Sequence, residues 1–395
     1  MVKPSPMLMI PGPTPVPQEV LSELAYPPMG HRSGAFKDIM LAIQPKLQWL
    51  FQTQQPVFTY AASATGAMEA ALVNTVNPGQ TVLVLACGVF SQRWADIAKR
   101  LGIEVIEQAV EYGQPNSLSD LDAILSGPDA DRIKAVCLIH NETSTGVINP
   151  VEAMARLIRQ KKPDALIIID TVTGLGAAPF DFDGWDIDVA VSGSQKGFML
   201  PPGLAFLAVS QRAMQRHAQV ANPGFYFNFT DNAKSVGQGQ TPWTSATTLC
   251  RGLLKSLELM EDDGLDVLHD RHRLNRQITR AAIQAMGLSF LVTDEAAASP
   301  SVTSVLKPDG IEVADLRGIL SNEFGLTIAA GQKHLKDGIF RIGHLGAIFP
   351  RDVFTAISAI EAVLHRLDYN RAPLGAGITA AQQEWTNACR VAITS

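Results

Sequence analysis

Cysteine is scarce in this 395-residue chain. Its four copies, Cys87, Cys137, Cys250 and Cys389, are widely scattered, with no C-x-x-C pair and no histidines at zinc-finger spacing. A disulfide framework and a metal site are therefore not expected, and the thiols read as those of a reduced, cytoplasmic protein. Basic runs are missing as well: nothing longer than Lys161-Lys162 occurs and the formal net charge is −6, so a nucleic acid finds no electrostatic footprint. The start, "MVKPSPMLMIPGPTPVP", holds only a four-residue apolar run between prolines. That is too short for a signal-peptide core, and no later segment approaches a membrane span. The terminal "AITS" is no recognisable address signal. Neither a G-x-G-x-x-G fingerprint nor a Walker lysine is present, which removes the main support for dinucleotide and P-loop readings.

What is present is apolar and regularly spaced. With 46% hydrophobic and 18% charged residues, the chain exceeds the usual single core and predicts two domains. Strand-length apolar runs, "TVLVLA", "IEVIEQAV", "AVCLIH", "ALIIID", "DVAVSG" and "LAFLAVS", alternate with amphipathic stretches such as "SQRWADIAKRLG" and "VEAMARLIRQK". Apolar strands separated by crossover helices predict an α/β fold with a mostly parallel sheet covered on both faces, and ligands at the strand C-terminal ends. From about residue 244 the order becomes α+β, with long helices, "SVTSVL", "LTIAAG", "GIFRIGHLG" and a final helix near 351–367. The expected division is an N-terminal arm (1–20) crossing a surface, a large domain (21–275) and a smaller C-terminal domain (276–395).

Three stretches carry chemistry. In "YAASATGAMEAALVNTV" a strand ends at small residues, and Ser63, Ala64, Thr65 and Gly66 lead into a helix. Free N–H groups, hydroxyls and the positive dipole end suit one phosphate, although an ordinary Ser/Thr cap reads the same way. "ALIIID" ends in Asp170, and Lys196 follows 26 residues later in "SGSQKGFMLPPG", after the next strand. The two can occupy neighbouring strand ends. A cofactor with a basic ring nitrogen and a reactive aldehyde needs this pair: a carboxylate to keep the nitrogen protonated, and an amine to form a Schiff base.

From "PGPTPVP" through "SATGAMEAAL", "HNETSTGV", "IIIDTVTGLG" and "SGSQKGFMLPPG" to "FRIGHLG", the chain resembles the class V aminotransferases. These are fold-type I pyridoxal phosphate (PLP) enzymes, and the likeness is closest to the alanine/serine:glyoxylate branch. The resemblance implies Lys196 as the Schiff-base lysine and proton carrier and Asp170 as partner of the ring nitrogen. It implies Val172 and Phe90 on the two ring faces; relatives often carry Trp at the second position. Ser63, Ala64 and Thr65, with Gln195, match the phosphate loop, and Thr143 matches the hydrogen bond to the phenolic oxygen. Thr244, and less directly Thr241 where some relatives have Tyr, match phosphate ligands from a neighbouring subunit, which implies a homodimer with composite sites. Arg341 matches the substrate-carboxylate fork, with backbone around Gly12 and Pro13 as a second contact.

The activity so implied is ping-pong amino transfer from alanine or serine to glyoxylate. Alternatives left open are a 2-aminoethylphosphonate transaminase, a cysteine desulfurase or β-lyase, and a non-catalytic subunit with the same fold. The desulfurase reading lacks its ring-stacking His, its His before the lysine and its late Cys: here stand Phe90 and Gln195, and no Cys lies between 251 and 388. His269 and His272, three apart in "LHDRHRLNR", read as a solvated helix face, as does "MEDD". His140, after a strand, reads as site-lining or simply packed.

Overall fold

The computed structural model of the protein describes residues 6–394; the first five residues of the expected arm and Ser395 of the terminal "AITS" lie outside the described residues. In chain order the strands are β1 (Met7–Met9), β2 (Val57–Tyr60), β3 (Thr81–Ala86), β4 (Glu104–Ala109), β5 (Ile133–Ile139), the short β6 (Asn141–Glu142) and β7 (Val147–Ile148), β8 (Leu166–Asp170), β9 (Val189–Gly193), β10 (Ala205–Val209), β11 (Val302–Leu306), β12 (Leu326–Ala330) and β13 (Ile339–Gly343).

Seven of them form one sheet in the order β2-β10-β9-β8-β5-β3-β4. The central pairs are parallel, and β10 alone runs against its neighbours. Because successive strand residues point to opposite faces, Ile167 and Ile169 of β8 join one apolar cluster with Leu47, Ile158 and Leu253, whereas Leu166 and Ile168 join another with Met68 and Trp94. Two-sided burial is why these strands are apolar at every position. Each such Leu or Ile withdraws enough surface to contribute about 1.5–3 kcal/mol. The edge strand β4 differs from the uniformly buried strand expected: Glu104 and Glu107 are exposed and Val105 and Ile106 only half-buried, since β4 has a neighbour on one side only.

The second sheet has the order β1-β12-β13-β11. Its first strand corrects the reading of the arm as a surface crossing: Met7–Met9 pairs in parallel with Leu326–Ile328, and Met9 is fully buried in the C-terminal core. The boundary expected at 275/276 falls inside the helix Leu265–Ala285, which gives Leu268 to the first core and Ile278, Ala282 and Ile283 to the C-terminal one. That helix also corrects the reading of His272. It is 2% exposed, accepts the Gly346 N–H at Nε2 (2.9 Å) and pairs through Nδ1 with the Leu268 carbonyl (2.7 Å). The helix expected near 351–367 is present as Pro350–Arg366, but it is not the last. Ala376–Thr394 forms another, packed on Leu265–Ala285 and started by Glu361, which accepts the Gly377 N–H at 2.7 Å.

Candidate active site

The C-terminal ends of β8 and β9 and the start of the helix Ala64–Val73 open on one cavity of about 120 Å³. Ser63, Ala64, Thr65, Phe90, Thr143, Asp170, Val172, Gln195 and Lys196 all line it. A larger groove of about 910 Å³ lies behind the arm, between Val16, Leu259 and Phe349. It contains neither Asp170 nor Lys196, so size does not mark the chemistry.

Asp170 ends a fully buried strand and is 4% exposed. One carboxylate oxygen accepts the Val172 N–H at 2.8 Å; the other takes no hydrogen bond among the described residues. Burial pushes its carboxyl up to about 7, against the Val172 hydrogen bond and the Arg93 and Lys196 charges. A cation beside the free oxygen would hold it ionised.

Lys196 forms no ion pair among the described residues. Its Nζ donates to the Pro11 carbonyl at 2.7 Å, and burial brings the amine down to about 8, opposed by Asp170 and assisted by Arg341 and Arg93. An amine in that range is a usable nucleophile near neutral pH. The arm holds this segment from outside: Thr14 N–H bonds the Gln195 carbonyl (3.2 Å) and Thr14 Oγ1 the Lys196 carbonyl (3.0 Å). Gly12 sits so close that a Cβ there would stand 2.5 Å from Lys196 Nζ, at a φ of +138° that side chains rarely adopt.

Ser63 precedes the helix Ala64–Val73, yet its hydroxyl makes no cap hydrogen bond. The ordinary-cap alternative is thus not realised, and hydroxyl and N–H groups stay available. The amide oxygens of Gln195 and Asn141 are buried at the cavity without partners. The open hydroxyl and N–H groups, with Asp170 and Lys196, fit pyridoxal phosphate: anion donors at one end, a carboxylate and an amine at the other, and Phe90 and Val172 between.

Arg341, 5% exposed on β13, uses Nε on the Ala330 carbonyl (2.9 Å) and Nη1 on the Thr143 carbonyl (2.7 Å). Nη2 makes no hydrogen bond among the described residues, so a carboxylate can still be received. Burial lowers this guanidinium to about 10, partly opposed by Glu142. Thr241 and Thr244 do not join the cavity within one chain. They line a separate hollow with Tyr60, Tyr226 and Trp243, and Thr244 is exposed. His140 is packed against Phe180 and Trp185, with Nδ1 3.2 Å from Thr171 Oγ1, and does not line the cavity.

Three residues escaped the sequence reading. Asn141 binds Thr173 Oγ1 and Ser301 Oγ (2.8 and 2.9 Å). Glu142, fully buried, accepts the N–H groups of Phe90 (3.1 Å), Ser91 (2.8 Å) and Ser144 (3.1 Å) and both serine hydroxyls. It fixes the start of the helix Val89–Arg100 and with it the Phe90 ring. Arg93 reaches Thr65. Asn141 and Glu142 were visible within "HNETSTG" as polar residues after a buried strand; Arg93 had no local signal beyond its helix.

A parallel-sheet subunit with this pair of strand ends is a fold-type I PLP protein. The family model for class-V aminotransferases matches residues 8–342, and the chain belongs to that family, whose cofactor is pyridoxal phosphate. Among relatives, it is 44% identical over 377 residues to the "Soluble hydrogenase, small subunit" of Synechococcus sp. (strain PCC 6716), covering 95% of this chain and 97% of that one. It is 33% identical to the serine–glyoxylate aminotransferase of Methylorubrum extorquens (95% and 94% covered). The crystal structure of ureidoglycine-glyoxylate aminotransferase from Bacillus subtilis superimposes with a TM-score of 0.92 at 30% identity, covering 98% of this chain and 99% of that one. Among the described residues, no group of three or more His, Cys, Asp or Glu could hold a metal ion, and no helix is long and apolar enough to cross a membrane.

Proposed function

We propose that this aminotransferase takes an amino group from a small amino acid, alanine or serine, and delivers it to glyoxylate. The observation that carries the reading is the unpaired amine of Lys196 within the electrostatic reach of both Asp170 and Arg341. Glyoxylate as acceptor is supported by the two relatives named above for it, which differ in their donors. A small donor is supported by the charges: Arg341, outside the cavity lining but bonded to the carbonyl of Thr143, which lines it, keeps Nη2 open, and the arginine that does line the cavity, Arg93, is turned toward Thr65.

In this reading the cofactor supplies an electron sink for the substrate's Cα–H electrons. Asp170 would keep the ring nitrogen protonated, and Phe90 and Val172 would bracket the ring. Ser63, Ala64, Thr65 and Gln195 would hold the phosphate, and Thr143 the phenolic oxygen. Lys196 would carry the proton taken from the substrate's Cα. Arg341 holds the carboxylate that donor and acceptor share, with the Gly12–Pro13 backbone beside it. Thr241 and Thr244 serve the partner subunit's site, so the working unit is a homodimer.

The test is the visible spectrum of the holoprotein with alanine, serine, then glyoxylate. Bleaching by either donor and recovery with glyoxylate supports the reading. A cofactor band that responds only to 2-aminoethylphosphonate or cysteine replaces it with another class V activity, and one indifferent to every amino donor favours a non-catalytic subunit.

A further inference from the structure

We propose that Arg93 is a further cofactor-binding residue, the cation that faces the phosphate of pyridoxal phosphate. The inference rests on the cofactor assignment above and adds a ligand to it. Among the described residues, three side chains lining the cavity are ionisable: Arg93, Asp170 and Lys196. Asp170 and Lys196 belong to the ring nitrogen and the aldehyde. A phosphate monoester carries roughly −1.5 to −2 charges near neutral pH, and the remaining donors at its end, Ser63, Thr65, Gln195 and backbone N–H groups, are neutral. Without Arg93 that charge would meet no formal counter-charge among the described residues lining its end of the cavity, an arrangement that is costly.

The geometry aims Arg93 at that end. Its Nη1 donates to Thr65 Oγ1 at 2.8 Å, and Thr65 lies in the first turn of the helix Ala64–Val73, whose start fits the phosphate. Its guanidinium stands over the Phe90 ring, 4.9 Å from the centroid. The two residues are three apart on the helix Val89–Arg100, hence on one face, so a single turn presents a ring for the pyridine and a cation for the phosphate. The ordinary alternative, a surface arginine in a salt bridge, is not what the structure contains: Arg93 is half-buried, and its contacts are Thr65 and Phe90, neither of them acidic. Its charge also reaches the other two ionisable groups, favouring the charged Asp170 and disfavouring the charged Lys196. A guanidinium suits the task because one N–H can hold the threonine hydroxyl while others remain for phosphate oxygens.

The experiment compares apoprotein titrated with pyridoxal phosphate and with pyridoxal, which lacks the phosphate, in wild type, Arg93→Met and Arg93→Lys, read by calorimetry or intrinsic fluorescence. Pyridoxal phosphate should bind Arg93→Met about 10–100-fold more weakly, with pyridoxal affinity unchanged. Arg93→Lys, which keeps the charge, should lose less. Equal losses for both ligands in Arg93→Met would mean that the residue only props the Phe90 ring, and would overturn the inference. Full pyridoxal phosphate affinity in both variants would overturn it as well, with the cofactor assignment intact. Wild-type apoprotein that binds neither ligand would overturn the assignment and the inference together.

Discussion

Lys196 Nζ donates a hydrogen bond to the carbonyl oxygen of Pro11, 185 residues earlier in the chain, at 2.7 Å. The contact ties the amine to the arm whose preceding strand, Met7–Met9, belongs to the C-terminal sheet. Gly12, the next residue, has room only for hydrogen. Gly12→Ala places a methyl 2.5 Å from Nζ at a φ of +138°, so the arm or the lysine must move. The expected outcome is a holoprotein yield or cofactor affinity reduced at least about tenfold, with the far-UV circular dichroism spectrum unchanged; wild-type affinity in this variant would remove the arm from the site.

Arg341 spends two of its N–H directions on the carbonyls of Ala330 and Thr143, which orients the group before a ligand arrives. Arg341→Lys keeps a positive charge but cannot make both backbone contacts and a two-point carboxylate contact at once. KM for both donor and acceptor should rise by about 10–100-fold. A change confined to one of them would place the other carboxylate elsewhere.

Glu142 has no cationic partner within ion-pair reach among the described residues; backbone N–H groups and serine hydroxyls of two loops surround it. Removing the carboxylate leaves several buried donors unsatisfied at once. Glu142→Ala should cost about 3 kcal/mol or more by urea denaturation. In Glu142→Gln an NH2 faces N–H groups, so an intermediate loss is expected.

The sheet strands were legible because two-sided burial writes itself as unbroken apolar runs: "TVLVLA" is the whole of β3 and "LIIID" the whole of β8. The half-exposed β4 carried less signal, its glutamates reading as part of a buried run. Asp170 and Lys196 were legible because strand ends locate them. Arg93 was not, because it acts through a contact with the distant Thr65; Glu142 stood out as a polar residue after a buried strand, but its hold on the distant Phe90 N–H left no trace in the sequence. The arm was misread for a related reason: a three-residue strand completing a sheet from the far end of the chain leaves no periodicity to find. The helix Ala376–Thr394 is rich in alanine, with too few large apolar residues to mark a buried face.

Asp170 illustrates a site that is costly to the empty protein. Burial raises its carboxyl to about 7, so the folded apoprotein holds a proton that the unfolded chain releases. The resulting stability is fully present below the unfolded carboxylate range near pH 4 and is lost as pH rises through about 7. Asp170→Asn escapes that loss. At pH 8 the variant apoprotein should be more stable than wild type by about 2–4 kcal/mol in urea, while transamination falls at least about 100-fold for want of a carboxylate at the ring nitrogen. Equal stability of the two apoproteins at pH 8 would mean that Asp170 is not desolvated as described.

Histidine works with the opposite sign. His272 is held neutral by burial, down to about 3, with the neighbouring Arg271 charge adding to the effect and the Leu268 carbonyl opposing it. Its Nε2 accepts the Gly346 N–H, so a proton on that nitrogen would face another donor. His344, buried 3.0 Å from Thr303 Oγ1, and His140 are likewise held down, to about 3 and about 4. Between about pH 6.5 and pH 4 the unfolded chain therefore binds three protons that the folded chain refuses, and stability falls as pH falls. Each such proton is worth about 1.4 kcal/mol per pH unit. Gly346 packs against Thr14 and the Lys196 carbonyl, so loss of the His272 contact reaches the lysine segment. Urea midpoints measured at intervals from pH 7 to pH 4 should drop in wild type, the three histidine protons outweighing the one that folded Asp170 takes up over the same range. In His272→Gln, whose side-chain oxygen can still accept the Gly346 N–H, the slope should flatten by one proton's worth. An identical slope in the variant would show that His272 takes up its proton in the folded state, and would overturn its role as the neutral acceptor of the Gly346 N–H.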